Sequence, residues 1–336
     1  MQFFSQRQRL SFAPFALFIA TLLLWLVLAV STGYAAPISV IDDRQNTVTL
    51  PQPAQRIISL APSSTELIYS AGAGDKLVAA VSFSNYPEAA KKLPLVGSYN
   101  QFDLERVLAY QPDLVISWYS GNQPEAIEQL EKLGIAVYRT ETRYLEQLPE
   151  TLIKIGQLAG TETVAQQEAD RFKQTLQHLK QAYSTQAKVR VFYQVWNQPL
   201  ITINQENLIS QVIEVCGGQN VFAELESIAP KIDVEAVLKA NPDAIVASGM
   251  DEQRPEWLND WKAWPSLKAV QDQQLHFIPP DHIQRQTVRV LLGAERLCQQ
   301  LDQTRQLNTQ SQRKPEQQAK HEQQAKHESH KDDALS

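Results

Sequence analysis

The stretch DLERVLAYQPDLVIS, residues 103–117, recurs in altered form as DVEAVLKANPDAIVA, residues 233–247. Each copy begins with an acidic residue that suits a helix N-cap and continues with apolar residues at helical spacing. A Pro-Asp turn then leads into an apolar strand. Because units of this kind are typical of α/β proteins with parallel sheets, the sequence predicts two similar α/β lobes, one around each copy.

Each copy also carries a glutamate in the first helical turn, Glu105 in the first and Glu235 in the second. The apolar residues of each helix are predicted to face the core, so the two glutamates are predicted to face solvent. A matched pair of exposed carboxylates suits a two-point docking surface for a basic partner better than a catalytic site. Ordinary solvated surface is the alternative interpretation.

The N-terminus has the features of a secretory signal. Arg7 and Arg9 precede an uncharged run, residues 12–30, that is followed by small residues. Cleavage is predicted after Ala35, so that residues 1–35 are a signal peptide and the mature chain begins at Ala36. An uncleaved N-terminal anchor is the alternative, because the run approaches the roughly 20 residues that span a bilayer.

The remaining chain divides into four segments by pattern and composition: an N-terminal lobe (36–145), a spine (146–186), a C-terminal lobe (187–303) and a polar tail (304–336). The spine has apolar residues at helical spacing and is predicted to be helical, with a break only near Gly160. The tail, rich in Gln, Lys, His and Glu, is predicted to be disordered or transiently helical. The predicted fold class is therefore α/β, with two Rossmann-like lobes that contain mainly parallel central sheets. A long rigid spine helix joins the lobes, and a ligand cleft lies between them.

Three helices in the two lobes are predicted with the following bounds. One covers residues 67–71 and follows the polar residues Ser63, Ser64 and Thr65. Another covers residues 256–264, and the last covers residues 289–301.

Composition and motifs exclude several functions. The formal net charge is −6, and no basic stripe offsets it, so nucleic acid is not a predicted partner. The sequence contains no G-x-S-x-G, HExxH, Walker or GxGxxG motif, and no Cys-x-x-Cys or Cys-His cluster for a metal. An enzyme is therefore not favoured, although a secreted enzyme that uses Ser63 or Asp281 is one alternative.

The two cysteines, Cys216 and Cys298, are far apart in the sequence. An exported chain meets an oxidising compartment, where such a pair can close, so one disulfide is expected. Two buried free thiols are the alternative.

Aromatic and polar residues follow the predicted strands, where open parallel sheets bind ligands. The candidate ligand residues are Phe83, Tyr99 and Trp118 in the first lobe, and Trp196, Asp281 and Arg285 in the second. Flat side chains that converge from two lobes suit a large, planar and partly apolar ligand. Asp281 and Arg285, spaced i and i+4, suit polar groups on the rim of such a ligand, and a plain salt bridge is the alternative.

Four motifs carry a family resemblance: SLAPSSTE (59–66), VSFSNYP (81–87), the stretch from Val96 to Trp118, and VIEVCGGQNVF (212–222). In this order and spacing they resemble the periplasmic cobalamin-binding proteins of ABC importers. The resemblance extends from about Arg56 to Leu301 and covers both lobes. It implies a carrier, not an enzyme, that captures cobalamin between the lobes and delivers it to the membrane permease subunits of an importer.

The resemblance also implies roles for single residues. Phe83, Tyr99 and Trp118 match aromatic positions of the corrinoid cleft, Asp281 and Arg285 match positions that face the ligand's amides, Glu105 and Glu235 match the carboxylates that dock onto the permease, and Cys216 and Cys298 match the family's disulfide. Ala229 stands where the best-known member has a tryptophan, for which Trp196 is the candidate replacement. The expected protein is a periplasmic monomer without cofactor or metal, and a haem or ferric-siderophore carrier of the same fold is the alternative.

Overall fold

The computed structural model of the protein describes residues 36–249 and 253–310. The predicted signal peptide and the tail beyond residue 310 lie outside these residues. Within the described ranges, no helix combines the length and the apolar character needed to cross a membrane.

The N-terminal lobe is built on a parallel sheet. Its strands are β1 (Ile38–Ile41), β2 (Thr47–Leu50), β3 (Ile57–Ser59), β4 (Leu77–Ala79), β5 (Gly97–Ser98), β6 (Gln101–Phe102), β7 (Leu114–Trp118) and β8 (Ala136–Thr140). Its helices are α1 (Pro62–Ser70), α2 (Leu104–Ala109) and α3 (Pro124–Lys132). The sheet has the order β4-β3-β7-β8, and its strand pairs are parallel. The pairs β1–β2 and β5–β6 are antiparallel hairpins beside it.

The spine consists of α4 (Leu148–Ala159) and α5 (Glu162–Tyr183), and the predicted break is at Gly160. Gly160 has φ +68°, and a Cβ there would lie 2.9 Å from Pro53 Cβ, so glycine is required at this turn. The two helices also approach each other closely at Gly156, where a Cβ would lie 2.4 Å from the Cβ of Ala165.

The C-terminal lobe repeats the architecture. Its strands are β9 (Val189–Gln194), β10 (Trp196–Asn197), β11 (Leu200–Ile201), β12 (Gly218–Asn220), β13 (Ala244–Ser248) and β14 (Leu275–Ile278). Its helices are α6 (Leu208–Val215), α7 (Val234–Ala240), α8 (Lys268–Gln271) and α9, which covers residues 290–310. The sheet is parallel in the order β12-β9-β13-β14. Residues Glu256–Ala263 form a 3₁₀ helix where an α-helix was predicted.

The repeated stretch occupies equivalent places in the two lobes. β7 and β13 each lie third in their sheet order, and each follows a short helix with an aspartate N-cap. The turn aspartates also act alike: the Asp113 carboxylate accepts the backbone N–H groups of Gln55 and Arg56 at 2.7 and 3.0 Å. The Asp243 carboxylate accepts the N–H of Arg190 at 2.8 Å. Each Pro-Asp turn therefore anchors the start of the neighbouring strand, and the predicted two-lobe α/β fold is confirmed.

The first helix begins earlier than predicted. α1 starts at Pro62, so Ser63, Ser64 and Thr65 lie inside it rather than before it. Proline suits the first turn, where its missing N–H is not needed. The following polar residues are buried, and tertiary contacts override their weak helix propensity.

The last helix ends later than predicted. α9 continues through residue 310, so the first seven residues of the predicted tail are helical. Thr304 and Arg305 are buried, and Arg305 is only 7% exposed. The Arg305 guanidinium donates to the carbonyl of Ala187 at 2.8 Å and to the carbonyl of Cys216. These long-range contacts explain why the polar composition of this segment was misleading.

Cys216 and Cys298 form a disulfide that links the end of α6 to α9, as predicted. The two residues are 82 positions apart in the sequence. Closing a loop of this size lowers the entropy of the unfolded chain, which corresponds to about 4 kcal/mol of stabilisation. Arg305 therefore donates to the carbonyl of Cys216, and the disulfide links the same Cys216 to α9, the helix that carries Arg305.

The buried contacts of Arg305 predict that the end of α9 contributes to stability. Arg305→Met leaves the carbonyls of Ala187 and Cys216 without this donor and should lower the free energy of unfolding by about 1–3 kcal/mol. Chemical denaturation measures this difference. Gln306→Met, at the exposed neighbouring position, is the matched control and should have little effect. Equal stabilities of the two variants would contradict the assignment.

A second prediction concerns acid stability. Burial lowers the pKa of His276 from 6.5 to about 4, and its ring nitrogen lies 3.1 Å from Gln274 Oε1 and 3.4 Å from Thr304 Oγ1. The unfolded chain therefore binds a proton more readily than the folded chain between these pKa values. Stability from neutral His276 is complete above pH 6.5 and is lost as the pH falls towards 4, by up to about 3 kcal/mol.

Denaturation curves measured from pH 4 to 7 test this. His276→Gln should lose less stability than the wild type over that range, whereas His178→Gln, at an exposed position of α5, is the control. An unchanged pH dependence in His276→Gln would show that another group is responsible.

Candidate functional site

The aromatic residues of the N-terminal lobe lie at the carboxyl edge of its sheet. Trp118 is the last residue of β7, and Tyr99 lies in the turn between β5 and β6. Their rings are 5.6 Å apart and inclined by 45°. Phe83 follows β4, and the neighbouring Ser82 N–H donates to the carbonyl of Gly97 at 2.8 Å. The structure therefore brings these three predicted residues to one edge.

Asn122 holds the aromatic pair in place, and sequence reasoning missed it. Its amide nitrogen donates to the carbonyls of Leu60 and Tyr99 at 2.9 and 2.5 Å. Its amide oxygen accepts the N–H of Trp118 at 2.6 Å. The side chain is buried, so one asparagine joins three loops at the strand ends. No local pattern in the sequence marks such a residue, because Leu60 and Tyr99 lie 62 and 23 positions away.

Phe83 has an unusual backbone and an exposed side chain. Its φ of +66° is uncommon for a residue other than glycine, and its side chain is 76% exposed. Such a conformation costs on the order of 1–3 kcal/mol and persists only where surrounding contacts hold it. Here the adjacent Ser84 hydroxyl bonds the Thr65 hydroxyl at 2.9 Å, and Thr65 in turn bonds Ser59 at 2.9 Å. The polar residues of α1 therefore support the loop that presents Phe83.

Arg285 crosses from the C-terminal lobe to the N-terminal lobe. Its Nη1 donates to Asn85 Oδ1 at 2.7 Å, and its Nη2 donates to the carbonyl of Phe83 at 3.2 Å. Nη2 also lies 2.9 Å from Asp281 Oδ1, so the i,i+4 salt bridge that was the alternative interpretation is present. The guanidinium thus contacts both lobes, which the salt bridge alone would not predict.

Glu66 is the partner that sequence reasoning missed. It lies on α1, is 2% exposed, and its Oε1 accepts from Arg285 Nη1 at 2.7 Å and from Arg289 Nη1 at 3.1 Å. Its Oε2 accepts from the Thr287 hydroxyl at 2.9 Å. One signal was available: Glu66 is the only ionisable residue between positions 57 and 68.

Burial and the neighbouring arginines have opposite effects on the pKa of Glu66. Burial raises the pKa of the Glu66 carboxyl above its ordinary value, while the hydrogen bond from Arg285 and the charges of Arg289 and Arg285 lower it. Arg289 also stacks over the Tyr86 ring at 4.1 Å and lies 3.9 Å from Asp281 Oδ2. Two carboxylates and two guanidinium groups thus form a balanced cluster between the lobes.

The segment that carries Asp281 and Arg285 is fixed to the sheet of its own lobe. The Gln284 amide donates to the Ser248 hydroxyl at the end of β13. That hydroxyl also lies 2.5 Å from the Tyr193 hydroxyl in β9. Burial raises the pKa of Tyr193, so this hydroxyl stays protonated and available for hydrogen bonding. The network positions the segment at the carboxyl edge of the second sheet.

Trp196 lies on the β10–β11 hairpin, directly after β9. Its indole N–H donates to the carbonyl of Gln198 at 3.0 Å, within the same hairpin. The structure therefore places Trp196 near the end of a strand, as predicted. Within the described residues, no ring contact joins Trp196 to the aromatic pair of the other lobe.

Glu105 and Glu235 are exposed in the first turns of α2 and α7. Among the described residues, neither carboxylate forms an ion pair. Their N-caps match: Asp103 accepts the N–H of Arg106 at 3.0 Å, and Asp233 accepts the N–H of Ala236 at 2.7 Å. Each helix leads into the start of a strand, so its first turn points towards the carboxyl edge of the sheet.

Two cavities of about 670 and 530 Å³ lie apart from the candidate ligand residues. The first is lined by residues of the spine and of both lobes, including Tyr144, Lys180 and Glu214. Both polar and apolar side chains line this cavity, and Lys180 is already paired with Glu146 at 2.5 Å. In the described part of the chain, no group of three or more His, Cys, Asp or Glu residues is arranged to hold a metal. The edge with the aromatic pair and Arg285 is therefore the better candidate site.

Comparison with known proteins defines the class. The model of the periplasmic binding protein family matches residues 57–282. This range contains both sheets and the spine, and the chain belongs to this family.

Particular relatives carry a more specific name. The vitamin B12-binding protein of Vibrio campbellii is 39% identical over 258 residues, which are 76% of this chain and 92% of that protein. The vitamin B12-binding protein of Yersinia pestis is 37% identical over 255 residues, 76% of this chain and 89% of that protein. The family resemblance predicted from the motifs is therefore confirmed.

Solved structures agree on the fold. The periplasmic vitamin B12-binding protein BtuF of Vibrio cholerae matches with a TM-score of 0.69 at 36% identity and covers 75% of this chain and 98% of its own. The periplasmic haem-binding protein RhuT of Roseiflexus matches with a TM-score of 0.65 at 18% identity, over 75% of this chain and 99% of its own. The second match supports the fold alone.

Proposed function

We propose that this chain is a periplasmic carrier that binds cobalamin between its lobes and delivers it to an ABC importer without altering it. The main geometric support is the 3.2 Å contact between Arg285 of one lobe and the Phe83 carbonyl of the other. At this point the polar and aromatic members of the candidate set meet across the cleft. The names of the relatives supply the identity of the ligand.

The chemistry of the edge suits a corrinoid. Tyr99, Trp118 and the exposed Phe83 offer flat apolar faces to a large ring, and burial of such faces is a major favourable term in binding. Arg285 and Asp281 offer a donor and an acceptor to amide groups on the ligand's rim. Trp196 adds an aromatic face from the second lobe, where Ala229 lacks one. Binding of this kind needs no catalytic group, cofactor or metal, and a monomer suffices.

Glu105 and Glu235 are the proposed docking carboxylates. Both are exposed and unpaired among the described residues, and they occupy matching places in the two lobes. A pair of carboxylates so placed can bind two arginines on two permease subunits at once. Docking at both lobes would also let the importer act on the distance between them.

Ligand titration tests the proposed function. The exported full chain should bind cyanocobalamin one to one with a Kd in the micromolar range or below, as measured by calorimetry, and Tyr99→Ala should weaken binding about tenfold or more. Tyr110→Ala, an aromatic change at the opposite edge of the same sheet, is the matched control and should keep the affinity.

Parallel titrations with hemin and a ferric hydroxamate decide between ligands of this fold class. Selective binding of either one, with no heat from cyanocobalamin, would replace the ligand while keeping the carrier role. Conversion of any of these ligands to a product would argue for an enzyme instead.

Charge reversal tests docking. The double variant Glu105→Arg, Glu235→Arg should abolish cobalamin uptake in proteoliposomes that contain the importer, because like charges would face each other at both contacts. Its Kd for cobalamin should stay within about twofold of the wild type.

The control carries the same change in charge elsewhere. Glu162 and Glu295 are exposed glutamates on the spine and on α9, and they are not ion-paired within the described residues. Glu162→Arg, Glu295→Arg should transport normally. Loss of transport in both double variants would point to net charge, and loss of ligand affinity in the first would contradict the docking role.

A further inference from the structure

A single buried carboxylate of the N-terminal lobe receives three contacts from the C-terminal lobe. Glu66 accepts from Arg285 at 2.7 Å, from Arg289 at 3.1 Å and from Thr287 at 2.9 Å. All three donors lie in one segment, residues 285–289, between β14 and α9. Glu66 follows β3 at the carboxyl edge of its own sheet. The contacts therefore span the two lobes where their sheet edges face each other.

The contacts depend on how far apart the lobes are. Separation of the lobes would break all three contacts of Glu66 at once, because every donor lies on the opposite lobe. Glu66 is 2% exposed and Arg289 is buried, so these contacts form out of water, where hydrogen bonds and ion pairs are stronger than at the surface. The Glu66 contacts consequently favour one separation of the lobes.

The same carboxylate sets the direction of Arg285. Nη1 of Arg285 is shared between Glu66 and Asn85, while Nη2 faces the Phe83 carbonyl and Asp281. The contact with Glu66 is at the buried end of the cluster, and the others lie towards the cleft. A ligand can therefore replace the contacts of Arg285 with Phe83, Asn85 and Asp281 while the hydrogen bond from Arg285 to Glu66 remains.

We propose that Glu66 is a positioning residue: it fixes Arg285 for ligand binding and holds the two lobes at their ligand-free separation. The role in ligand binding rests on the proposed function, whereas the role in lobe separation does not. Arg289 and Thr287 anchor the carboxylate, so that Arg285 alone is free to exchange partners. Glu66 itself does not contact the ligand.

The test compares three substitutions. Glu66→Gln keeps the shape and removes the charge, and Glu66→Asp keeps the charge on a shorter side chain. Glu131→Gln is the matched control, because Glu131 pairs with Arg139 at 2.7 Å inside the N-terminal lobe and does not reach the other lobe. If Glu66→Gln does not fold, Thr287→Val removes the Oε2 contact at nearly constant shape, together with the 3.3 Å bond from the Arg289 N–H to the Thr287 hydroxyl.

The decisive readout is the distance between the lobes without ligand. Spin labels on Lys92→Cys and Gln271→Cys, at exposed positions of the two lobes, report this distance by pulsed electron paramagnetic resonance in the exported full chain. A broader or longer distribution is expected for Glu66→Gln, with partial recovery in Glu66→Asp and a smaller change in Thr287→Val. Glu131→Gln should match the wild type. A folded Glu66→Gln protein with the wild-type distribution would overturn the proposal.

Affinity for cyanocobalamin is the second readout. Glu66→Gln should weaken binding about tenfold, and should cause little further loss when Arg285 is already replaced by Gln. Full and independent losses from the two substitutions would show that Glu66 does not act through Arg285. Wild-type protein that binds no cobalamin would overturn the proposed function, and the distance measurement would then still decide whether Glu66 sets the lobe separation.

Discussion

One continuous apolar core runs from the N-terminal lobe through the spine into the C-terminal lobe. Ile57 and Leu114 of the first sheet, Leu152 and Phe172 of the spine, and Val191 of the second sheet all belong to it. Exposure of apolar surface costs roughly 25 cal/mol per Å², so a wide hinge motion that opened this core would be expensive. The lobes can therefore rock by small amounts, but the spine limits their relative movement.

The two sheet edges that face each other across the cleft present different groups to a ligand. The N-terminal edge presents Tyr99 and Trp118, which Asn122 holds rigidly, and the C-terminal edge presents Arg285 on a segment fixed through Ser248. Rigid aromatic faces and a well-oriented guanidinium lose little entropy on binding, which is the advantage of a preformed site. The outer faces of the two sheets have separate cores of their own, so each lobe keeps its shape while the cleft adjusts.

Local patterns in the sequence predicted the repeated helix-turn-strand units well, because caps, helical spacing and Pro-Asp turns act within a few residues. The errors fall where distant contacts decide. The polar start of α1 is helical because Thr65 and Glu66 find partners in tertiary structure, and α9 continues because Arg305 reaches Ala187. Glu66 escaped notice as a site residue for the same reason, since its partners are more than 200 positions away.

The inter-lobe ion cluster bears on when a carrier of this kind would release its ligand. Exchange of the outer contacts of Arg285 for ligand groups replaces single hydrogen bonds of roughly 1 kcal/mol each, whereas lobe separation would break the contacts of Glu66 with Arg285, Arg289 and Thr287 together. Exchange of these outer contacts therefore costs less free energy than separation of the lobes. In the proposed carrier, docking through Glu105 and Glu235, one on each lobe, can supply free energy for that separation.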